Sequence, residues 1–375
     1  MTTLHTPDTP FLALDVDRVD ANIARLRTHL KTLQVPLRLH VKTAKSIEVA
    51  SRVFPSGTGP ITVSTLAEAE YFADAGYTDI LYAVGIDPHK LPRAAALVRG
   101  GVDLTLLLDS VAQAEAFVDY ASTNGVALPA LIEIDCDGHR GGLRPDDPTL
   151  LDIARILDAA ELMRGVLDHA GESYYSPTPE GRQAAAENER STAVDAAARL
   201  HAAGLSCPVV SIGSTPTAHA ATQLEGVTEV RAGNFVFFDL VMAGIGVCTT
   251  EDIALSVVVT VIGHQPAHGW ILTDGGWMAT SRDRGTAAQR TDQGYGLVAT
   301  IDGELIRDLI MVAASQEHGQ LAIRDGSHRP LPDIPIGTRL RILPNHACAT
   351  ASQHQRYHLT GVNPPAPTWE RHNGW

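Results

Sequence analysis

The feature that most restricts the fold is a unit of a short apolar run followed by a helix-like segment, repeated eight times before residue 245. Clear examples are "DLTLLLDS" followed by "VAQAEAFVDYASTNG", and "ALIEIDCD" followed by "TLLDIARILDAA". Strands that alternate with helices form parallel sheets, because a helical crossover returns the chain to the same edge. Eight units predict a closed parallel (β/α)8 barrel over residues 17–245, with an open doubly wound sheet as the alternative.

The pattern changes near residue 250. Segments such as "IALSVVVTVIGHQ", "YGLVATIDG" and "TRLRILP" are strand-like, are separated by Gly, Pro and Asp, and lack helical periodicity. They predict a second, mostly antiparallel β domain over residues 250–375. The short apolar run at residues 10–16 is expected to join that domain.

Composition argues against several classes of function. The formal net charge of −14 and the absence of a basic stripe make nucleic-acid binding unexpected. No apolar run reaches the length of about 18 residues that a membrane-spanning helix needs. The four cysteines show no pairing spacing, and the N-terminus lacks the features of a signal peptide. These observations predict a cytoplasmic protein whose partners are neither nucleic acid nor a membrane.

Candidate catalytic residues are sought at the carboxyl ends of the barrel strands, where active sites of such barrels lie. The first strand, "PLRLHVKT", places Arg38, His40 and Lys42 on one face, so Lys42 is expected at the mouth of the site. Lys45 is a competing candidate, which we expect to be solvated. A solvated Lys42 that simply leaves the strand is the alternative.

Two glycine-containing turns follow the seventh and eighth strands. They contain Gly213, Ser214 and Thr215 in one turn, and Gly233 and Asn234 in the other. Loops at these places in barrels often hold a phosphate through backbone N–H groups and small hydroxyls. A phosphate anchor facing a lysine suggests pyridoxal phosphate bound as a Schiff base, and a cofactor-free sugar-phosphate aldolase is the alternative.

Other strand ends also carry polar residues. Arg140 lies in a glycine-flanked turn after the fifth strand, and His169 and Tyr174 follow the sixth. Several polar strand ends together suggest a site, although each residue taken singly could be an ordinary hydrogen-bonding group.

A histidine and a cysteine stand two residues apart near the C-terminus, in "RILPNHACAT". If this segment is an extended strand, His346 and Cys348 point to the same face and can chelate one metal ion. A buried thiol beside a hydrogen-bonded imidazole is the alternative, since two ligands do not close a metal site.

Taken together, the motifs resemble the D-serine dehydratase and D-threonine aldolase group of pyridoxal-phosphate enzymes with the alanine-racemase-like fold. The similarity spans the whole chain and rests on "HVKTAK", "HAGESY", "GSTPT", "RAGNFVFFD", "DGGWMATSRDRG", "SQEHG" and "LPNHACAT". The resemblance implies a homodimer and a dehydratase that converts a D-3-hydroxy amino acid, such as 3-hydroxy-D-aspartate or D-serine, to a keto acid and ammonia. An aldolase that releases glycine and an aldehyde is the alternative, although aldolases of the group generally carry Asp at the position of Cys348.

The resemblance also implies the roles of individual residues. Lys42 would carry the cofactor and remove the substrate Cα proton, and His346 and Cys348 would hold a divalent metal (Zn, Mn, Mg or Co). Either Tyr174 or Arg140 would face the pyridine nitrogen, and a second substrate carboxylate would need Arg140, Arg282 or Arg284. The full set of cofactor-binding candidates is Lys42, His40, Arg140, His169, Tyr174, Gly213, Ser214, Thr215, Gly233 and Asn234.

Overall fold

The structure is a computed structural model that describes residues 3–361 and 366–375. The chain forms two compact units. The first, which we call the β unit, comprises the described residues of Met1–Ile23 and Asn234–Arg371. The second, the barrel unit, comprises Ala24–Gly233 and His372–Trp375. The boundaries at 17–245 and 250–375 were placed from the sequence pattern alone and stay predictions.

The described residues form strands and helices in alternation up to residue 232 and mainly strands from residue 255 onward. The helices are α1 (Val16–Thr32), α2 (Ile47–Val53), α3 (Leu66–Asp74), α4 (Leu91–Arg99), α5 (Val111–Asn124), α6 (Pro148–Ala159), α7 (Pro179–Ala202), α8 (Thr215–Ala220), α9 (Leu240–Gly244), α10 (Trp277–Thr280) and α11 (Ala347–Ala351). The strands are β1 (Phe11–Asp15), β2 (Leu37–His40), β3 (Ile61–Val63), β4 (Asp79–Gly85), β5 (Asp103–Leu108), β6 (Ala130–Ile134), β7 (Met163–Asp168), β8 (Val209–Ile212), β9 (Glu229–Ala232), β10 (Leu255–Gln265), β11 (Trp270–Thr273), β12 (Leu297–Thr300), β13 (Leu305–Ala314), β14 (Gly319–Ile323), β15 (Arg339–Leu343), β16 (Arg356–Thr360) and β17 (Thr368–Glu370).

The barrel unit is a closed parallel barrel of strands β2 to β9, which confirms the predicted (β/α)8 architecture. Strand β2 pairs in parallel with both β3 and β9, and this second pairing closes the ring. The strands are buried, and Leu81, Leu107, Leu131 and Leu167 from four successive strands pack in one cluster. Burial of both faces explains why the strands appear in the sequence as short apolar runs. Because all eight strands are parallel, their carboxyl ends meet at one end of the barrel.

The β unit contains a second closed ring of strands. Strands β10, β11, β14, β13, β12 and β15 are antiparallel neighbours in that order, and β15 pairs back with β10. Strand β1 adds to β10 in antiparallel fashion and to β16 in parallel. The prediction of a mostly antiparallel β domain is therefore confirmed. In the part of the chain that the structure describes, no helix has both the length and the apolar character that crossing a bilayer requires.

Candidate active site

Lys42, which was predicted at the end of the first barrel strand, lies in the turn that follows β2, two residues beyond its last residue, and its side chain is half-buried. Its positive charge lowers the pKa of two imidazoles, those of His40 and His169. His40 ends β2 and His169 follows β7, so the barrel brings His169 close to Lys42 and His40, which lie far from it in the sequence. The structure thus groups Lys42, His40 and His169 at the carboxyl end of the barrel.

The two histidines beside Lys42 are held neutral. Burial is the main cause for both, and the charges of Lys42 and Arg231 add to it. The pKa of His169 falls to about 3, while its Nδ1 lies 3.0 Å from the carbonyl oxygen of Gly213. The Nδ1 atom of His40 is buried without a hydrogen-bond partner among the described residues. Neutral rings can pack against a ligand without adding positive charge to the site.

Lys45 is the one lysine of the motif for which the sequence interpretation is wrong. We expected a solvated side chain, but its Nζ lies 2.8 Å from the Glu68 carboxylate, which is fully buried. The backbone of Lys45 has a positive φ of 46° and its N–H donates to the carbonyl of Val41. An unpaired buried carboxylate is costly. Lys45 therefore has a structural partner of its own, and Lys42 is the lysine left at the site.

The turn after β8 is built by close backbone packing. Gly213 has a φ of 141°, and a Cβ atom at this residue would lie 2.1 Å from the carbonyl oxygen of Arg231. A Cβ atom at Gly233 would lie 2.6 Å from the carbonyl oxygen of His40. Only glycine fits at these two places. The two glycines thus allow these turns to pack directly against the backbone of neighbouring segments.

The hydrogen-bond donors of the β8 turn differ from the sequence prediction. We expected the N–H groups of Gly213 and Ser214 to be open for a phosphate, but they donate to Glu189 (3.1 Å) and to Thr217 Oγ1 (3.0 Å). The hydroxyl of Thr215 is buried and has no hydrogen-bond partner among the described residues. Thr215 is therefore the residue of this turn that keeps an open polar group.

Glu189, a residue of α7 that sequence reasoning missed, holds two strand ends together. Its Oε1 accepts the N–H groups of Ala170 (2.8 Å) and Gly213 (3.1 Å), and its Oε2 accepts the Thr217 hydroxyl (2.6 Å). The side chain is 1% exposed. Burial raises its pKa, and the hydrogen bonds from Thr217 and Ala170 oppose that rise. The sequence signal was a glutamate on an alanine-rich helix face, which also carries the buried Arg182.

Arg231 is a second buried charged residue that we did not predict for the site. It lies on β9, donates from Nε to the Ser211 hydroxyl at 2.9 Å, and donates from Nη2 to the carbonyl of Asp168. Burial lowers its pKa, while Glu189 and other carboxylates raise it. Its charge contributes to the low pKa of His40 and His169.

Arg140 and Tyr174 differ in their contacts. The guanidinium of Arg140 is mostly exposed and lies 3.3 Å from the Glu133 carboxylate. Burial raises the pKa of Glu133, and Arg140 opposes that rise. The ring of Tyr174, in a short 3-10 helix after β7, lies 6.4 Å from the His169 ring. Arg140 is thus paired with Glu133, and the Tyr174 ring lies near the imidazole of His169.

The remaining predicted turn residue, Asn234, belongs to the β unit and opens a short 3-10 helix. Its side-chain amide donates to Asp239 at 2.6 Å, and its Oδ1 is buried without a partner among the described residues.

His346 and Cys348 do not lie on a strand, so the same-face argument is wrong. Strand β15 ends at Leu343, and His346 is the residue before α11, which starts at Ala347. The helix ends the extended spacing, yet the side chains of His346 and Cys348 are hydrogen-bonded to each other. A turn of helix, and not the pleat of a strand, therefore brings the imidazole and the thiol together.

The carboxylate of Asp283 fixes the orientation of the His346 ring. The Nδ1 atom of His346 lies 2.6 Å from Asp283 Oδ2, so Nε2 is the ring nitrogen that could bind a metal. Burial alone would lower the pKa of His346, but the charge of Cys348 and the hydrogen bond with Asp283 raise it to about 11. In the described residues, no set of three or more His, Cys, Asp or Glu side chains is placed to hold a metal. The pair can thus supply two ligands of an open site.

Asp239 holds the start of α11, next to His346, through hydrogen bonds. It is 1% exposed, and its Oδ2 accepts the N–H of Ala347 at 2.9 Å and the amide of Asn234. Its Oδ1 caps α9 by accepting the N–H of Met242 at 3.0 Å. Among the described residues, these bonds to two backbone N–H groups and one amide give Asp239 a supporting role.

Comparisons with known proteins agree with this arrangement. Residues 14–241 match the family described as "Alanine racemase, N-terminal domain", and residues 254–360 match "Putative serine dehydratase domain". D-threo-3-hydroxyaspartate dehydratase from Delftia sp. (strain HT23) is 54% identical, over 100% of this chain and 99% of that protein. Two solved structures of D-threo-3-hydroxyaspartate dehydratase mutants each match with a TM-score of 0.96 and 53% identity over 100% of this chain. In the first mutant a histidine is replaced by alanine, and the match covers 97% of the mutant's chain. In the second, described as the metal-free form, a cysteine two positions further along is replaced by alanine, and the match covers 100% of its chain.

Proposed function

Because the chain belongs to the alanine racemase N-terminal domain family, a pyridoxal-phosphate-dependent fold family, we propose that it is a dehydratase acting on a D-3-hydroxy amino acid. The single observation that carries the proposal is 54% identity to D-threo-3-hydroxyaspartate dehydratase over the whole chain. The predicted family, fold and lyase class are confirmed. The proposed substrate is 3-hydroxy-D-aspartate in its threo form, and the proposed products are a keto acid and ammonia.

The barrel unit offers groups that fit pyridoxal phosphate. Lys42 would supply the amine that holds the cofactor, and Gly213 and Gly233 let the turns after β8 and β9 pack directly against neighbouring backbone. The buried, unpartnered hydroxyl of Thr215 and Nδ1 of His40 are polar atoms that a bound group would satisfy. When bound, the cofactor withdraws electrons from the substrate Cα and makes its proton removable. We assign Tyr174 and the neutral His169 to the surface that supports the ring.

Lys42 is proposed as the base that takes the Cα proton. With the cofactor and substrate bound, the Lys42 amine would lie on one face of the substrate. A base on one face removes a proton from one enantiomer, which is the physical source of the proposed D selectivity. Burial and the Lys42 charge lower the pKa of His40 and His169, so both imidazoles are weak bases and compete poorly with Lys42 for the proton.

The β unit offers an imidazole and a thiol that fit a divalent metal. We propose that Nε2 of His346 and Sγ of Cys348 are its protein ligands, with Asp283 orienting the imidazole through Nδ1. Two ligands leave positions for water and substrate, as a catalytic site needs. A metal there supplies a Lewis acid for the β-hydroxyl leaving group. The softness of a thiolate favours zinc among Zn, Mn, Mg and Co. The metal-free form of the 53% identical dehydratase supports this assignment.

A second substrate carboxylate needs a cation, and the structure separates the three candidates. Arg140 is paired with Glu133, and Arg284 is paired with Asp292 at 2.7 Å and stacks on Tyr295. Arg282, next to Asp283 in the chain, lies over the ring of Trp277 at 5.1 Å and has no carboxylate partner among the described residues. We therefore assign Arg282 to the second carboxylate of 3-hydroxyaspartate.

The function is tested by measuring keto-acid and ammonia release from D-serine, D-threonine and the four 3-hydroxyaspartate isomers. We expect the highest kcat/KM with the D-threo isomer. Formation of glycine and an aldehyde in place of keto acid and ammonia would replace the dehydratase with the aldolase alternative.

The role of Arg282 is tested with the same substrate panel. Arg282→Met is expected to raise KM for 3-hydroxyaspartate by about tenfold or more, the value of one charge-assisted hydrogen bond, and to leave KM for D-serine unchanged. Arg290→Met, at an exposed arginine of the same segment, is the matched control. An equal change for both substrates would contradict the assignment. A homodimeric assembly and a cytoplasmic location remain predictions, as does the expectation that nucleic acid and membranes are not partners.

A further inference from the structure

A small cavity of about 200 Å³ lies within the β unit, and none of its lining residues belongs to the proposed active site. Its walls are formed by α1, β10, β13 and β15 and by the segment at residues 250–253. Two arginines, Arg18 and Arg341, line it together with leucines from three different strands. A cavity that combines guanidinium groups with apolar walls is suited to a small molecule that carries a carboxylate.

Arg341 is the residue of the cavity that a bound anion would pair with. It is 6% exposed, and its Nε donates to the hydroxyl of Ser256 at 2.9 Å. Among the residues that the structure describes, no carboxylate pairs with Arg341 and neither of its Nη atoms has an acceptor. Burial and the charge of Arg18 lower its pKa, while the more distant carboxylates of Asp15 and Asp302 oppose that change. Because no described carboxylate contacts this buried guanidinium directly, an anion that entered the cavity would gain by pairing with it.

The backbone next to Arg341 keeps the guanidinium open. Gly303 turns the hairpin between β12 and β13 with a φ of 95°, and a Cβ atom there would lie 3.2 Å from Arg341 Nη1. A side chain at this residue would crowd the nitrogen that faces the cavity. Glycine therefore leaves space for an acceptor at Nη1.

The other charges around the cavity narrow the class of ligand. Arg18 is tied to Asp15 at 3.4 Å and to the Ile253 carbonyl at 2.8 Å, so its charge is partly balanced. Glu251 and Glu304 line the cavity as well, and both are exposed. Two carboxylates at the exposed side disfavour a dianion and attract a cation. The complementary molecule carries both a carboxylate and an ammonium group.

The apolar wall accounts for the rest of the ligand. Leu255, Leu305 and Leu343 contribute to it from β10, β13 and β15. A volume of about 200 Å³ accommodates a molecule of the size of a small amino acid but not a nucleotide or a peptide. From these observations we propose that the cavity beside Arg341 binds a zwitterionic α-amino acid with a small apolar side chain, at a site separate from the proposed active site.

The test is a calorimetric titration of the cofactor-loaded enzyme with L-valine, isobutyrate and isobutylamine, while the pyridoxal absorption band is recorded. Isobutyrate lacks the ammonium group together with the carbon that carries it, and isobutylamine lacks the carboxylate. We expect saturable L-valine binding without a change in the band, and binding weaker by about tenfold or more for each of the other two probes. Equal affinity for isobutyrate and L-valine would overturn the assignment to an amino acid. A band change that follows the same binding curve would place the ligand at the cofactor instead.

Variants of one arginine complete the test. Arg341→Met should weaken L-valine binding by about tenfold or more, and Arg341→Lys, which keeps the charge but loses the fork of two nitrogens, should give an intermediate affinity. Arg307→Met, at an exposed arginine of β13, is the matched control and should bind as the parent does. In the absence of ligand, Arg341→Met should unfold at a temperature no lower than the parent, because it removes an unpaired buried charge. Unchanged L-valine affinity in Arg341→Met, or a variant too unstable to fold, would overturn the proposal.

Discussion

Removal of the Glu189 carboxylate tests how the carboxyl ends of β7 and β8 are held. In Glu189→Ala, the N–H groups of Ala170 and Gly213 lose their acceptor inside the protein, while the Thr217 hydroxyl keeps the Ser214 carbonyl at 3.3 Å. Each buried donor left without a partner costs about 1–3 kcal/mol. The expected loss in the free energy of unfolding is therefore about 2–6 kcal/mol for the two donors together.

Glu189→Gln separates the charge of the side chain from its shape. The amide oxygen can still accept both backbone N–H groups, and the amide nitrogen can donate to the Thr217 hydroxyl in place of the bond that Glu189 accepts from it. We expect a loss of about 1 kcal/mol in this variant. Glu187→Ala is the matched control on the same helix, because Glu187 is 45% exposed and pairs with Arg190. It should cost less than about 1 kcal/mol.

Two measurements distinguish a positioning role from a purely structural one. Urea unfolding gives the stability of each variant, and a fluorescence titration of the cofactor-free protein gives its affinity for pyridoxal phosphate. Because Gly213 begins the turn that contains Thr215, and Ala170 follows His169, Glu189→Ala should weaken cofactor affinity by about tenfold or more and Glu189→Gln by less than about threefold. Unchanged affinity in Glu189→Ala, or a stability within 1 kcal/mol of the parent, would refute this reasoning.

Three further predictions follow from the other residues. Borohydride reduction and peptide mapping should label Lys42 and not Lys45, because Lys45 pairs with a buried carboxylate. Label on Lys45 alone would contradict the assignment. Chelation, or Cys348→Ala, should abolish keto-acid release while the pyridoxal absorption band persists, and undiminished release after verified metal removal would disprove the role of the metal. In the cofactor-free protein, His169 has a pKa of about 3 when folded and about 6.5 when unfolded, so the unfolded state binds more protons below pH 6.5. Its contribution to stability is complete above pH 6.5 and falls by about 2 kcal/mol on going to pH 5, so urea unfolding of His169→Gln should show a loss smaller by that amount than the parent. Equal losses in both proteins would mean that His169 is not held neutral by the fold.

The sequence determined the architecture because periodicity is a local property. Each strand of the barrel is an apolar run of a few residues and each helix repeats its apolar face, so eight units were visible without any tertiary information. The motif around Lys42 and the pair of His346 and Cys348 were visible for the same reason, since each lies within a few residues of the chain. The class of site followed from the rule that parallel strands gather their carboxyl ends.

Only the tertiary structure decided which polar groups already have a hydrogen-bond or ion-pair partner within the protein. Lys45 and Lys42 look alike in the sequence, but Lys45 meets the buried Glu68 carboxylate and Lys42 lies near two neutral histidines. The N–H of Gly213 was expected to face a phosphate, yet it donates to Glu189 of a distant helix. Hydrogen bonds and ion pairs of this kind join residues that are tens of positions apart, and they depend on which buried groups meet after the strands have closed. A sequence pattern records the spacing between neighbours along the chain, whereas the partner of a buried polar group is set by the packing of the whole unit.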